Sequence, residues 1–324
     1  MKELEVLRQH APALLARANV VGVGIGHKVR RGRRLSGRCL TVLVSEKKPV
    51  SALSQSDLIP ANLGGVVTDV WQSGHLRPLE QTERLRPAQP GLSIGHYRVT
   101  AGTFGAVVYD QKSGEPLILS NNHVLANSCN GRNRRASLGD PVLQPGSYDG
   151  GTLVNDQIGR LERYIPLHFA ALQSAQAIAA VIHTGWKALE TQAPSPAAIN
   201  LVDAAVARPL QPDLLNPEIL GIGAVSGTAA GELDLAVQKS GRTTGYSTGI
   251  ILIQNVVLRV DYGDAGVCVF TDQLVSDIPS GPGDSGSLVL DMQNRAIGLL
   301  FAGGDNITVL NPIADVTEQL GVVF

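Results

Sequence analysis

A chain of 324 residues in which 27 Lys and Arg face 28 Asp and Glu has a formal charge of −1, which offers no electrostatic basis for binding nucleic acid or an anionic membrane. The length is ample for two or so domains around a buried core. No apolar run approaches the roughly 20 residues of a membrane span, and three unclustered cysteines, Cys39, Cys129 and Cys268, exclude a disulfide scaffold.

Taken in chain order, the start Met1-Lys2-Glu3-Leu4-Glu5-Val6 lacks the apolar core of an export signal, which with the few cysteines points to a reducing, cytoplasmic setting. Over residues 2 to 18, Leu4, Leu7, Ala11, Leu14, Leu15 and Ala18 recur at helical spacing, with Pro12 expected to bend or interrupt the helix. Two apolar strands, at Val20 to Gly26 and Leu40 to Val44, flank Lys28, Arg30, Arg31, Arg33 and Arg34. This basic run spans a Gly-containing stretch and reads as a solvated hairpin tip rather than a nucleic-acid patch. Gly22-Val23-Gly24-Ile25-Gly26 has the wrong spacing for a dinucleotide loop. Pro49 to Asn62 is expected to carry a short helix before a third strand at Val66 to Val70, completing a small α+β domain over residues 1–80. Gly74, Pro78, Pro87 and Pro90 then mark a linker over 72–90.

Short strands with Gly-rich turns follow, as in Gly102 to Tyr109, and predict an all-β barrel. Leu117-Ile118-Leu119-Ser120-Asn121-Asn122-His123 is an apolar strand that ends in a small polar cluster and a histidine. An imidazole at a strand end can face a cleft rather than the core and serve as a general base, the other reading being a surface or capping histidine. The Ala-rich stretch from His168 to Ile182 predicts a helical insertion near 168–190, read as a cover on the barrel, with a gate over the cleft or an assembly surface as its functional alternatives.

Asp203 follows in Asn200-Leu201-Val202-Asp203-Ala204-Ala205-Val206. A carboxylate among small and aliphatic neighbours needs a partner, and orienting a histidine supplies one. Asp156 is its best competitor. Gly283-Asp284-Ser285-Gly286-Ser287 then combines a serine with two glycines, which lets a substrate carbonyl approach the N–H groups of Gly283 and Ser285 as an oxyanion hole. Taken alone, it is also an ordinary turn before a strand. The other histidines (His10, His27, His75, His96, His168, His183) make no metal spacing with a second His or Cys, and the chemistry requires no cofactor.

The order His123, Asp203, Ser285 differs from that of subtilisins and α/β-hydrolases. On Asn122-His123-Val124-Leu125, Val202 to Val206, Gly283 to Ser287 and Lys239-Ser240-Gly241-Arg242-Thr243-Thr244-Gly245-Tyr246-Ser247-Thr248-Gly249, the chain resembles the trypsin-like, chymotrypsin-fold serine peptidases over about residues 100 to 324. Val20 to Gly26, Leu40 to Lys48, Ile59-Pro60 and Val66 to Val70 resemble the leader domain of bacterial relatives of the plant NARROW LEAF peptidases.

The resemblance implies a mainly β protein: a double β-barrel behind the α+β leader, with His123 and Asp203 on a first barrel (81–210) and Ser285 on a second (211–324). It implies a serine endopeptidase acting on protein or peptide substrates, and its leader-bearing members suggest a homo-oligomer. It also puts Pro279, six residues before the serine, at the base of the primary pocket, with Phe301, Ala302 and Gly303 along the cleft. Small or apolar side chains are then preferred, unless Asp277 or Asp305 lines the pocket and restores basic specificity. A non-catalytic or latent binding protein is the second reading; it predicts His123 out of hydrogen-bond reach of Ser285, or a flipped Gly283 peptide. A hydrolase of small esters or a self-processing protein is the third.

Overall fold

The computed structural model describes residues 2–17, 19–30, 33–73, 81–98, 101–170 and 199–324. Contacts divide the chain into two compact units, Met1–Leu79 and Glu80–Phe324.

The first unit packs one helix on one sheet. Helix α1 (Lys2–Leu15) precedes strands β1 (Val20–Arg30), β2 (Arg33–Val44), β3 (Asn62–Leu63) and β4 (Val66–Gln72), in sheet order β1-β2-β4-β3. Strands β1 and β2 pair antiparallel out to Arg30 and Arg33, while Arg31 lies outside the described residues. Helix α1 runs through Pro12 without ending. A proline in a helix interior costs about 3 kcal/mol, and burying Val6 against Leu40 and Val66, and Leu14 against Val20, Val42 and Val44, offsets it at about 1.5–3 kcal/mol per side chain. The helix expected between Pro49 and Asn62 is a single 3-10 turn at Val50–Ala52.

The second unit is the mainly β double barrel of chymotrypsin-like type. Its strands are β5 (Ser93–His96), β6 (Gly102–Thr103), β7 (Ala106–Asp110), β8 (Pro116–Ser120), β9 (Pro141–Leu143), β10 (Gln157–Tyr164), β11 (Phe169–Ala170), β12 (Ile199–Asn200), β13 (Ala205–Pro209), β14 (Gly227–Thr228), β15 (Ala236–Gly241), β16 (Gly245–Asp261), β17 (Val267–Ser276), β18 (Leu288–Asp291), β19 (Arg295–Gly303), β20 (Thr308–Pro312) and β21 (Val322–Val323). Among the described residues it also carries helices α2 (Asn122–Leu125) and α3 (Ile313–Leu320).

Strand β6 runs on past Phe104 and Gly105 into β7, and β6 pairs back with β5, so β5, β9, β10, β13, β8 and β7 return upon themselves. The second ring, β15, β16, β17, β20, β19 and β18, closes through six antiparallel pairings. Closure satisfies the backbone groups that an open edge leaves unpaired. Ile94, Phe104, Ile118 and Ile158 fill the first ring, and Val237, Ile251, Val289 and Leu310 the second. Leu117, Leu119 and Val206 meet Leu288, Leu290 and Leu299 in a shared cluster that joins the rings, and Val316 and Leu320 of α3 seal it.

Three details depart from the sequence reading. Residues 81–90 are not a free linker, because Ala88 is fully buried and exchanges backbone hydrogen bonds with Leu214 (2.7 Å) and Asn216 (2.8 Å). Phe169 and Ala170, expected in a helix, form β11 and pair with Cys268 and Val267 of β17; residues 171–198, where the rest of that helix was expected, lie outside the described residues. The boundary at 210 is crossed in both directions: β11 and β12 pair with β17 in the second sheet, and β21 returns to β7 in the first.

Candidate active site

The end of β8 presents His123, and two asparagines explain how. Asn122 Nδ2 donates to the carbonyls of Cys129 (2.9 Å) and Ile165 (2.7 Å), and its Oδ1 accepts the Cys129 N–H. Asn121 Nδ2 donates to the carbonyl of Asp203 at 2.7 Å. The chain therefore turns into α2 with its backbone held on both sides, and the one partly accessible side chain of the cluster is the imidazole, 22% accessible.

Asp203 is fully buried between β12 and β13. Its N–H donates to Asn311 Oδ1 (3.0 Å), its Oδ1 accepts the His123 N–H (3.2 Å), and its Oδ2 lies 2.6 Å from His123 Nδ1. A carboxylate only accepts, so this contact requires the proton on Nδ1 and leaves Nε2 as the basic nitrogen. The Tyr262 hydroxyl also donates to Oδ2, at 2.7 Å. Asp156, the competitor, is committed elsewhere: it accepts from Thr152 and pairs with Arg84 at 3.0 Å.

The serine loop lies against the end of β8. The Ser285 carbonyl accepts the Thr103 N–H at 2.7 Å, and a Cβ on Gly286 would collide with the Ser120 hydroxyl and the Thr103 carbonyl. Gly286 at φ +93° and Gly283 at φ +103° occupy the left-handed region that a side chain disfavours. The Pro282 carbonyl accepts the Thr243 hydroxyl at 2.7 Å. In a trans peptide the N–H points opposite to the carbonyl, so the Gly283 N–H faces away from Thr243. Neither it nor the Ser285 N–H has a partner among the described residues. Unpaired donors on the serine loop are what an oxyanion requires. Ser285 Oγ and His123 make no hydrogen bond, an arm that is often long in unliganded sites.

Sequence reasoning missed what holds this loop. Asp284 is fully buried and accepts from the N–H groups of Gly281 (2.9 Å), Thr243 (2.8 Å) and Thr244 (3.1 Å), and from the Thr244 hydroxyl (2.7 Å). Lys239, with no side-chain exposure, sits 3.4 Å from Asp284 Oδ2 and donates to Thr244 Oγ1 at 2.6 Å. Burial lowers Lys239 from its ordinary value, and the neighbouring Asp284 partly counteracts that. The motif from Lys239 to Gly245 was in view; that its lysine points inward was not.

A cleft of about 410 Å³ opens beside Ser285. Ser280, Gly281 and Pro282 form one wall and Leu300, Ala302 and Gly303 the other, with Asp305 also lining it. Two expected lining residues are absent from it. Phe301 alternates to the opposite face of β19 and packs on Phe270 with ring centroids 4.7 Å apart. Pro279 is exposed outside the cleft, and Asp277 is tied to the Ile250 N–H at 2.7 Å. Among the described residues no group of three His, Cys, Asp or Glu side chains could hold a metal ion, and no helix is long and apolar enough to cross a membrane.

No protein-family model matches the chain, and no curated protein does. Among solved structures it is similar to Thermobifida fusca protease A (18% identity, 73% of this chain and 98% of that one, TM-score 0.46). It is also similar to a Nocardiopsis protease (18%, 73% and 98%, 0.47) and to a Cellulomonas bogoriensis chymotrypsin (17%, 73% and 98%, 0.45). Likenesses this distant concern fold alone. What the site can do follows from its own geometry.

Proposed function

We propose that the protein is a serine endopeptidase. Ser285 attacks the scissile carbonyl, His123 Nε2 takes the serine proton and returns it to the leaving amine, and Asp203 orients His123 and supports the imidazolium. The N–H groups of Gly283 and Ser285 hold the oxyanion. The observation that carries this reading is the pairing of a buried Asp203 with His123 at 2.6 Å beside a loop whose Gly283 and Ser285 N–H groups have no partner among the described residues. A fluorophosphonate probe tests it: the wild type should be labelled at Ser285 in the folded state and cleave a protein substrate, and Ser285→Ala should do neither. Failure to label folded wild type would count against a nucleophile.

The substrate reading changes with the cleft. Among the described residues Asp305 is its one ionisable side chain, so we read a preference for a basic residue at the cleaved position in place of the small or apolar one. A peptide library should show Lys or Arg selected by the wild type and no longer by Asp305→Asn.

One observation favours the latent reading: Ser285 and His123 make no hydrogen bond. Against the other mark of latency, a flipped Gly283 peptide, stands the hydrogen bond by which the Thr243 hydroxyl engages the Pro282 carbonyl. Labelling by the probe separates the two. The cytoplasmic setting belongs to the same proposal and is supported by three buried free thiols, Cys39, Cys129 and Cys268. So does the kinship of the leader unit with the NARROW LEAF group, which rests on its motifs.

A further inference from the structure

The Asp203 carboxylate is served by a residue from a distant part of the chain. Strand β16 is 17 residues long, from Gly245 to Asp261, and Tyr262 lies in the turn that joins it to β17. That turn is fixed at several points. The Tyr262 N–H donates to the Gly266 carbonyl at 2.9 Å, Asp264 pairs with Arg135 at 2.8 Å, and the Phe169 ring meets the Tyr262 ring edge-on at 6.1 Å. The Tyr262 ring also stands edge-on to the His123 imidazole, centroids 5.8 Å apart.

Asp203 Oδ2 is thereby held between two donors, His123 Nδ1 at 2.6 Å and the Tyr262 hydroxyl at 2.7 Å, while Oδ1 receives the His123 N–H at 3.2 Å. Rotation of the carboxylate about its Cβ–Cγ bond would break all three contacts at once. We propose that Tyr262 is a positioning residue of the His123, Asp203, Ser285 triad, fixing the Asp203 carboxylate against His123 and setting how strongly that carboxylate supports the imidazolium. This rests on the reading of His123 as general base.

The chemistry gives the direction. A hydroxyl that donates to a carboxylate withdraws charge from it, so it weakens the carboxylate's stabilisation of a neighbouring imidazolium. Losing that donor raises the basicity of His123 and frees the carboxylate to rotate, so the base titrates higher and is less well aimed. Burial, then the charge of Asp203, push the Tyr262 phenol well above its ordinary value, which keeps it a proton donor throughout the working range. Among the described residues the other titratable group facing Asp203 is the Cys268 thiol on β17, pushed up to about 12 by burial and then by Asp203, so it stays neutral. Arg135 and Asp264 at the turn neutralise each other.

The test is Tyr262→Phe in the full chain, with two readouts. In the kcat/KM profile the ascending limb should move up by about half a pH unit, and kcat should fall about tenfold with KM within about twofold. NMR titration of the His123 ring, which needs no turnover, should show the same upward move. Replacing Tyr262 with a fluorinated tyrosine, a stronger donor, should move the ring titration the opposite way, and it serves as the readout if the Phe variant does not fold. Unchanged His123 titration in both variants would overturn the proposal. If the wild type cleaves no substrate yet the ring titration moves as described, the positioning role stands and the peptidase reading falls.

Discussion

Two fully buried aspartates stand on either side of the site, and they are treated in opposite ways. Asp284 is surrounded: three backbone N–H groups, a hydroxyl and a buried lysine satisfy it, so its charge is spent on holding the loop that bears Ser285. Among the described residues the Asp203 carboxylate has His123 and Tyr262 as its only side-chain donors, and no Lys or Arg pairs with it. Its charge is left available for a cation that forms during reaction. A buried carboxylate with a resident cation builds structure; one facing a titratable ring is prepared for chemistry.

The same change at the two positions should break the comparison cleanly if it is wrong. Asp203→Asn should lower kcat/KM about ten-thousandfold, because an amide lets His123 hold the wrong tautomer, with a cooperative thermal melt retained. Asp284→Asn strands the Lys239 charge, and Lys239→Met strands that of Asp284. Each should cost about 3–5 kcal/mol by chemical denaturation, while the double change recovers most of the loss. Were Asp284→Asn to fold normally and lose only rate, Asp284 would belong with Asp203. Thr243→Val keeps the volume but releases the Pro282 carbonyl. Losing a whole oxyanion donor costs about a hundredfold to a thousandfold, so a loosened one should cost about tenfold in kcat with KM little changed.

The legible parts of the site were those carried by local pattern. His123 ended an apolar strand, Asp203 was a charge among aliphatic residues, and Ser285 stood between glycines; each peculiarity lies within a few residues of the functional atom. What escaped depends on register or on distant pairing. Lys239 lies in a strand whose far side could have been solvent, and only the closure of β15 between β16 and β18 turns it inward. Tyr262 meets Asp203 across 59 positions of chain, at the end of a hairpin whose reach no local pattern records. Phe301 was placed in the cleft because its neighbours are there, yet strand alternation turns it away. At Phe169 and Ala170 helical propensity lost to pairing with β17, since tertiary hydrogen bonds outweigh a preference of a few tenths of a kcal/mol per residue.

A third carboxylate, intermediate between the two, gives the comparison its smallest and most graded test. Asp149 of the first barrel meets Arg242 of the second, with Arg242 Nε 2.7 Å from Asp149 Oδ2 and side-chain exposures of 6% and 12%. Burial alone would raise Asp149, but the Arg242 guanidinium and the Ser93 hydroxyl more than offset it, and the net result is a value below the ordinary 3.8. In the folded state Asp149 then binds its proton less readily than in the unfolded chain, so its stabilisation is complete above the ordinary value and disappears as the pH falls through the lowered one. Urea unfolding should therefore show wild type more stable than Asp149→Asn by about 1–3 kcal/mol near neutrality. That gap should stay flat down to the region of 3.8 and close below it. A gap that survives deep into acid would mean the pair stabilises through packing of the Arg242 stem rather than through charge. Arg242 would then act on the loop, through its neighbour Thr243, as a spacer and not as an ion.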